Sequence, residues 1–200
     1  MTQGASEGEP SLVNLAKSYL REKYNKPGNV YLGVVSRLDM MSSGAIVLAR
    51  TSKAASRLNV QFRDRTVSKV YWALIAGRMD SKAGTLEDHV RKDDAQHRMV
   101  TCSANAKDAK LAKLSWQTVA TNELCQQLRI ELETGRKHQI RLQLSSRGTP
   151  ILGDRKYGSS KEFPNGIALH SRQLTLEHPT LKERLEFTAD VPKCWKKYLG

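Results

Sequence analysis

Residues 33–50 read GVVSRLDMMSSGAIVLAR, and the rest of the chain is organised around this stretch. Apolar and β-branched residues at 31–35 and 45–48 predict one strand before and one strand after a short polar loop. The loop carries an arginine, Arg37, and close to it a carboxylate, Asp39. Polar loop residues at the mouth of a hydrophobic sheet are often functional, because the sheet holds them in place. We therefore expect Asp39 to be the central residue of a functional site.

The length and charge of the chain favour one domain with a polyanionic partner. At 200 residues the chain is long enough for a single domain with a substantial core. Lys and Arg outnumber Asp and Glu by 33 to 20, which gives a net charge of +13. Nucleic acid is the leading partner for such a chain. Charge alone leaves open a basic surface with no partner, so the motifs have to decide.

Cysteine and histidine usage predicts no disulfide framework and no metal centre. The cysteines Cys102, Cys125 and Cys194 are odd in number and far apart, which fits a reducing compartment. The histidines form no pair at metal-ligand spacing, so we expect no metal. No segment reaches the about 18 apolar residues of a membrane span, and residues 1–10 resemble no targeting signal. We expect a soluble, cytoplasmic protein, with an organelle as the open alternative.

Hydrophobic periodicity predicts an α+β domain with a mixed, largely antiparallel sheet. Ser11 should cap a helix that runs to about Tyr24, and Ser52 should cap a second helix. The β-rich run at 67–77 has no polar face and predicts a central strand that is buried on both sides. The more charged segment at 78–114 is expected to be an insertion or exposed lobe, mobile at 107–113. The remaining predicted elements are a hairpin (114–121 and 123–133), a helix (137–147), a final hairpin (168–177 and 181–189) and a short helix opened by Pro192.

The motifs along the chain resemble those of the RluA family of RNA pseudouridine synthases. The run Ser36-Arg37-Leu38-Asp39, followed by Ser43-Gly44, resembles the motif that defines this family. Further segments are similar to the family's later motifs and occur in the family's order. They are KVY at 69–71, TGRKHQIR at 134–141, PILGD at 150–154, YG at 157–158, LH at 169–170 and HP at 178–179.

The resemblance implies isomerisation of uridine to pseudouridine in structured RNA, either ribosomal or transfer RNA, without a cofactor. It implies the pseudouridine synthase catalytic fold as a single domain over residues 1–200, acting as a monomer without an S4-type module. Asp39 would be the essential carboxylate and Arg141 its cation, because a buried carboxylate needs a compensating charge. Tyr71 would lie against the uracil and accept the C5 proton.

The resemblance also assigns the RNA-binding residues. The target uridine must leave its stack before a side chain can reach C1′. Arg37 would fill the vacated space or hold a phosphate. The other candidates for phosphate contacts are Lys69, Arg136, Lys137 and Arg155.

Several alternatives stay open at this point. A tyrosine in a central strand is as often a core residue as a functional one, so Tyr71 has both interpretations. His138 and His170 are expected to be hydrogen-bonded structural residues. The sequence departs from the family at Ser36, where histidine is common, and at residues 1–4, which begin just after the family's usual first strand. A catalytically impaired RNA-binding protein that keeps the fold is therefore the second hypothesis.

Overall fold

The structure is a computed structural model that describes residues 11–199. Its helices are α1 (Leu12–Lys23), α2 (Ser52–Arg63) and α3 (Gln139–Ser145). The short strands around the polar loop are β1 (Gly33–Val34), β2 (Ser43–Gly44) and β3 (Leu48–Ala49). The longer strands are β4 (Ser68–Ile75), β5 (Ala83–Asp93), β6 (Arg98–Cys102), β7 (Lys110–Thr121), β8 (Gln126–Leu132), β9 (Leu169–Glu177) and β10 (Arg184–Thr188). Residues 1–4, which are expected to begin just after the family's usual first strand, lie outside the described range.

The main sheet has eight strands within the described part of the chain, in the order β10-β9-β4-β8-β7-β5-β6, with β2 added to β9. The β2–β9 pair is parallel and the other pairs of this sheet are antiparallel. The expected mixed, largely antiparallel sheet and the α+β class are thus confirmed. The run at 67–77 forms β4, which lies in the middle of the sheet between β8 and β9.

The main core lies between the sheet and α3. Leu74, Ile75 and Ile130 are completely buried in it. Ile140 and Leu144 are four residues apart on α3, and both pack into the same cluster. Burying each such side chain contributes about 1.5–3 kcal/mol, so α3 is firmly attached to the sheet. This attachment matters because α3 also carries Arg141.

A smaller core joins α2 to the end of β9. Leu58 of α2 packs there with Leu174 and Leu176. The helix begins at Ser52, but its cap is Thr51, whose Oγ1 accepts a hydrogen bond from the Ala54 amide at 3.1 Å. The prediction of Ser52 as the cap was therefore wrong by one residue.

The segment 78–114 extends the main sheet. It forms β5, β6 and the first part of β7, and Leu86 and Val90 of β5 are buried. Residues 110–113, expected to be mobile, begin β7 and pair with β5. The predicted hairpin between β7 and β8 is present, and its turn is held by Asn122, which accepts from the Leu124 and Cys125 amides.

The helix α3 begins two residues later than expected. His138 has a left-handed backbone conformation, with φ of 52°, and this conformation interrupts any earlier helical turn. The helix stops before Gly148, whose φ of 74° is the kind of conformation that glycine adopts without strain. The helix ends at Ser145, two residues earlier than expected.

Candidate active site

The loop between β1 and β2 presents Asp39, and it is held by hydrogen bonds within the loop and by the pairing of β2 with β9. The Ser42 amide and hydroxyl both donate to the Asp39 carbonyl, at 3.1 and 2.7 Å. Gly44 then passes so close to β9 that an added Cβ would lie 2.3 Å from the Ser171 carbonyl oxygen. A larger residue at this position would push the loop away from β9, so glycine is required here.

His170 of β9 connects this loop to the C-terminal segment. Its side chain lies between the Ser43 hydroxyl, 2.8 Å from Nδ1, and the Ala189 carbonyl, 3.1 Å from Nε2. The carbonyl can only accept, so Nε2 carries the proton and Nδ1 accepts from Ser43. Burial lowers the pKa of His170, which favours this neutral form. The expectation of a hydrogen-bonded structural histidine agrees with these contacts.

The lowered pKa of His170 predicts a loss of stability in mild acid. The unfolded protein binds a proton at this residue below about pH 6.5, whereas the folded protein binds that proton only at a lower pH. The free energy of unfolding should therefore fall as the pH drops below about 6.5. When unfolding in urea is measured between about pH 7.5 and 5, the free energy of unfolding of His170→Gln should vary less with pH than that of the wild type. The exposed His97→Gln is the control, and a His170→Gln profile parallel to the wild type would contradict the prediction.

Arg141 is held by two carboxylates. Its Nη1 lies 3.5 Å from Asp39 Oδ2, which brings together the pair expected from the sequence. Its stronger partner is Asp154, which accepts from Arg141 Nε at 2.7 Å and from Nη2 at 2.8 Å. The Asp154 side chain is 1% exposed and that of Asp39 is 25% exposed. Arg141 thus forms a buried bidentate pair with Asp154 and reaches Asp39 with one remaining nitrogen.

Asp154 is the residue of this site that sequence reasoning missed. It was part of a family motif but received no role. A signal was available, because a buried arginine needs a carboxylate partner and the Gly153-Asp154 pair of the family motif follows later in the sequence. Burial by itself lowers the pKa of Arg141, but the hydrogen bonds and charge of Asp154, with the charge of Asp39, outweigh burial and raise that pKa. The guanidinium is therefore a permanent cation beside Asp39.

Tyr71 projects from β4 toward the same site. Burial, together with the charge of Asp39, raises the pKa of Tyr71 to about 12, against a hydrogen bond with Ser171 that lowers it. At neutral pH only about one phenol in 10⁵ would be ionised at such a pKa. The hydroxyl group is thus a neutral donor, and the environment disfavours the phenolate that the expected proton-acceptor role would use.

Two of the residues expected to bind RNA have free charges. The side chains of Arg37 and Lys137 are exposed and make no ion pair or hydrogen bond with other residues in the range 11–199. Arg155 is also exposed, but it pairs with Glu162 at 2.6 Å. A phosphate would have to compete with that carboxylate, although an exposed pair of this kind is weak.

The other two candidates are partly engaged by the protein. Arg136 donates from Nε to the Leu111 carbonyl at 2.8 Å, which leaves its terminal nitrogens available. Lys69 is half-buried, and burial lowers its pKa, as does the charge of Arg65. Its ammonium group lies beside Gly135, where an added Cβ would be 3.3 Å from Nζ. Lys69 is therefore closer to the protein interior than a surface phosphate contact requires.

The described residues offer no metal site and no membrane span. Between residues 11 and 199, no group of three or more His, Cys, Asp or Glu side chains is placed to hold a metal ion. No helix in that range is both long and apolar enough to cross a membrane.

Comparison with known proteins identifies the family. The model of the RNA pseudouridylate synthase family matches residues 3–146. An RNA pseudouridine synthase of Synechocystis sp. is 32% identical over 199 residues, which cover 98% of this chain and 61% of that protein. The ribosomal large subunit pseudouridine synthase D of Pseudomonas aeruginosa is 31% identical over 204 residues, which cover 94% of this chain and 61% of that protein. The chain thus spans about three fifths of the length of these relatives.

Solved structures agree with this assignment. The human RNA pseudouridylate synthase domain containing 4 superposes with a TM-score of 0.79 over 96% of this chain and 83% of its own, and at 24% identity it supports the fold alone. The human RNA pseudouridylate synthase domain containing 1 has a TM-score of 0.73 and 25% identity, over 88% of this chain and 74% of its own. With motifs, fold and relatives in agreement, the chain belongs to the RluA family of RNA pseudouridine synthases.

Proposed function

We propose that the chain isomerises uridine to pseudouridine in structured RNA, with Asp39 as the essential carboxylate. The observation that carries this proposal is the placement of Asp39 Oδ2 3.5 Å from Arg141 Nη1, on the loop that bears the family motif. Ribosomal RNA is the first substrate to test, because relatives are named as ribosomal large subunit enzymes. Transfer RNA is the second.

The chemistry needs only groups that this chain supplies. The bond from base N1 to ribose C1′ breaks, the detached uracil turns, and C5 bonds to C1′. One proton leaves C5 and one is taken up at N1, so no redox partner or cofactor is consumed. Asp39 acts on the sugar or base as the anion, and Arg141 aims its carboxylate. We assign Tyr71 to holding the flat uracil ring with its aromatic face, because its neutral phenol is a poor proton acceptor.

RNA binding would use the free positive charges around this site. Arg37 lies two residues before Asp39, and Lys137 lies just before α3. The further candidates are Arg136 and Arg155, which already contact protein groups, and Lys69, which is half-buried. We propose that the chain acts as a monomer, because Asp39, Tyr71 and Arg141 come from one chain. The unpaired thiols of its cysteines favour the cytoplasm.

Arg37→Ala should weaken RNA binding without affecting folding. An exposed arginine with no protein partner adds little to stability, so the melting temperature should change by less than about 1 °C. Affinity for substrate RNA should fall about five- to tenfold, and the slope of log K against log salt should decrease by about 1. Arg63→Ala removes another exposed arginine, at the end of α2, and serves as the control. Equal losses of thermal stability and RNA modification would mean that Arg37 is structural.

The proposed activity is tested by mapping pseudouridine. Ribosomal and transfer RNA from cells with and without the gene should differ at one or a few uridines. The purified chain should restore those sites in RNA from the deletion strain. RNA that binds tightly but gains no pseudouridine would support the second hypothesis, an RNA-binding protein that retains the fold without the activity.

A further inference from the structure

We propose that Tyr157 is a positioning residue that holds the Arg141 guanidinium and connects it to the β5–β6 hairpin. The proposal rests on the function proposed above, because it concerns how the arginine beside Asp39 is aimed. Tyr157 belongs to a short 3-10 helical turn, Arg155–Tyr157, and is 3% exposed. The proposed isomerisation uses no group of Tyr157, so the role of this buried tyrosine has to be found in its contacts.

The ring of Tyr157 covers one face of Arg141. The Arg141 ζ carbon lies 4.9 Å from the ring centroid, which is within the range of a cation–π contact. The carboxylate of Asp154, three residues earlier, holds the edge of the same guanidinium through Nε and Nη2. One short turn of chain therefore restrains the guanidinium both on its face and at its edge. Nη1 makes no hydrogen bond with Asp154 and is the nitrogen that faces Asp39.

The hydroxyl of Tyr157 extends this arrangement to the hairpin. It accepts a hydrogen bond from the Met99 amide of β6 at 3.1 Å, and it lies 2.9 Å from His138 Nδ1. Lys156 makes a second tie to the hairpin by donating to the His97 carbonyl at 2.7 Å. On the other side, the Ser145 hydroxyl of α3 donates to the Tyr157 carbonyl at 2.6 Å. The turn is thus fastened to the hairpin and to the helix that carries Arg141.

These contacts imply a specific consequence for catalysis. A displacement of about 1 Å at a reacting group can cost about a hundredfold in rate. If the ring is lost, the guanidinium can tilt toward the space that the ring occupied, and Nη1 moves relative to Asp39. Phosphate-binding residues such as Arg37 and Lys137 are untouched. Tyr157 should therefore affect the turnover rate and leave RNA affinity unchanged.

The test compares two variants with a matched control. Tyr157→Leu removes ring and hydroxyl, and its single-turnover rate should fall about a hundredfold with RNA affinity unchanged within about twofold. Tyr157→Phe keeps the ring over Arg141 and loses only the hydroxyl contacts, so its rate should fall by about tenfold or less. Tyr198→Leu makes the same replacement at a buried tyrosine of the C-terminal segment and should keep the wild-type rate. Rates are measured well below each melting temperature and corrected for the folded fraction.

A second measurement does not depend on activity. The side-chain Nε–H signal of Arg141, identified by its loss in Arg141→Lys, should be sharp and slow to exchange in ¹⁵N NMR spectra of the wild type. It should shift and exchange faster in Tyr157→Leu, and it should stay close to the wild type in Tyr198→Leu. An unchanged signal in Tyr157→Leu, or a rate loss equal to that of Tyr198→Leu, would overturn the proposal. A wild-type chain without turnover would contradict the proposed function, and the NMR signal would still decide the role of Tyr157.

Discussion

Asp39→Asn is expected to abolish pseudouridine formation, with a rate loss of about 10³-fold or more, while affinity for RNA changes by less than about twofold. The substitution keeps the shape of the side chain and removes its charge. The loop should stay in place, because it is held by the Asp39 carbonyl and by Gly44, and neither is altered. The phosphate-binding charges are not altered either. Single-turnover assays and equilibrium binding on the same RNA measure the two quantities.

The control for this result is a carboxylate away from the site, that of Asp64, which is 52% exposed. Asp64→Asn removes the same charge at the end of α2 and should leave turnover unchanged. Asp39 is 25% exposed and meets Arg141 at 3.5 Å, so Asp39→Asn should cost less than about 1 kcal/mol of stability. Turnover by Asp39→Asn near the wild-type rate would remove Asp39 from the chemistry, although the chain would still be an enzyme.

The elements that could be predicted from the sequence are those determined by interactions between residues close together in the chain. Ser11 caps α1 through the Asn14 amide, and Ile140 and Leu144 share one face of α3. Such signals lie within a few residues of each other, and the hydrophobic period reveals them directly. The family motifs added Asp39 and Arg141, which lie far apart in the sequence and within 3.5 Å in the structure.

The segment 78–114 shows how charged side chains complicate a prediction from sequence. Leu86, Asp88 and Val90 alternate along β5 and point toward one face of the sheet. Asp88 occupies a core-facing position because it accepts hydrogen bonds from Gln143 and Arg147. A carboxylate in an inward position breaks the apolar alternation, so the segment resembles an exposed lobe. Its partners are Gln143 on α3 and Arg147 just beyond that helix. Both are more than fifty residues away, and no local pattern contains them.

The partner of Arg141 escaped prediction for a similar reason. The family motif pairs Arg141 with Asp39. One cation then balances one carboxylate, so the sequence gives no reason to look for a second carboxylate beside Arg141. The structure instead gives Arg141 two carboxylates, and the more buried one, Asp154, makes both short hydrogen bonds. The irregular segment 146–153 brings Asp154 back to α3, and sequence periodicity carries no information on the path of that segment. The energetic consequence can be measured.

Arg141→Met is expected to be the most destabilising of the substitutions considered. Methionine fills a similar volume but leaves Asp154, 1% exposed, without its cation. Removing one partner of a buried ion pair typically costs about 3–5 kcal/mol, because the other charge stays buried and unpaired. The variant should also lose turnover, since Asp39 loses the group that aims it. Urea unfolding measures the loss of stability. The turnover rate is measured at low temperature, where the variant is folded.

Double substitutions then show which carboxylate carries that cost. Arg141→Met combined with Asp154→Asn should recover a large part of the lost stability, because the amide can be buried without a counter-charge. Arg141→Met combined with Asp39→Asn should recover little, because Asp39 is partly exposed and can be solvated by water. Both double variants should stay inactive, the first because Asp39 is no longer aimed and the second because the anion is gone. If Asp39→Asn restores as much stability as Asp154→Asn, Arg141 belongs energetically to Asp39, and the division between a structural and a catalytic carboxylate is wrong. The expected outcome means that Asp154 stabilises the arginine, which is then presented to Asp39 without contributing much to folding through that contact.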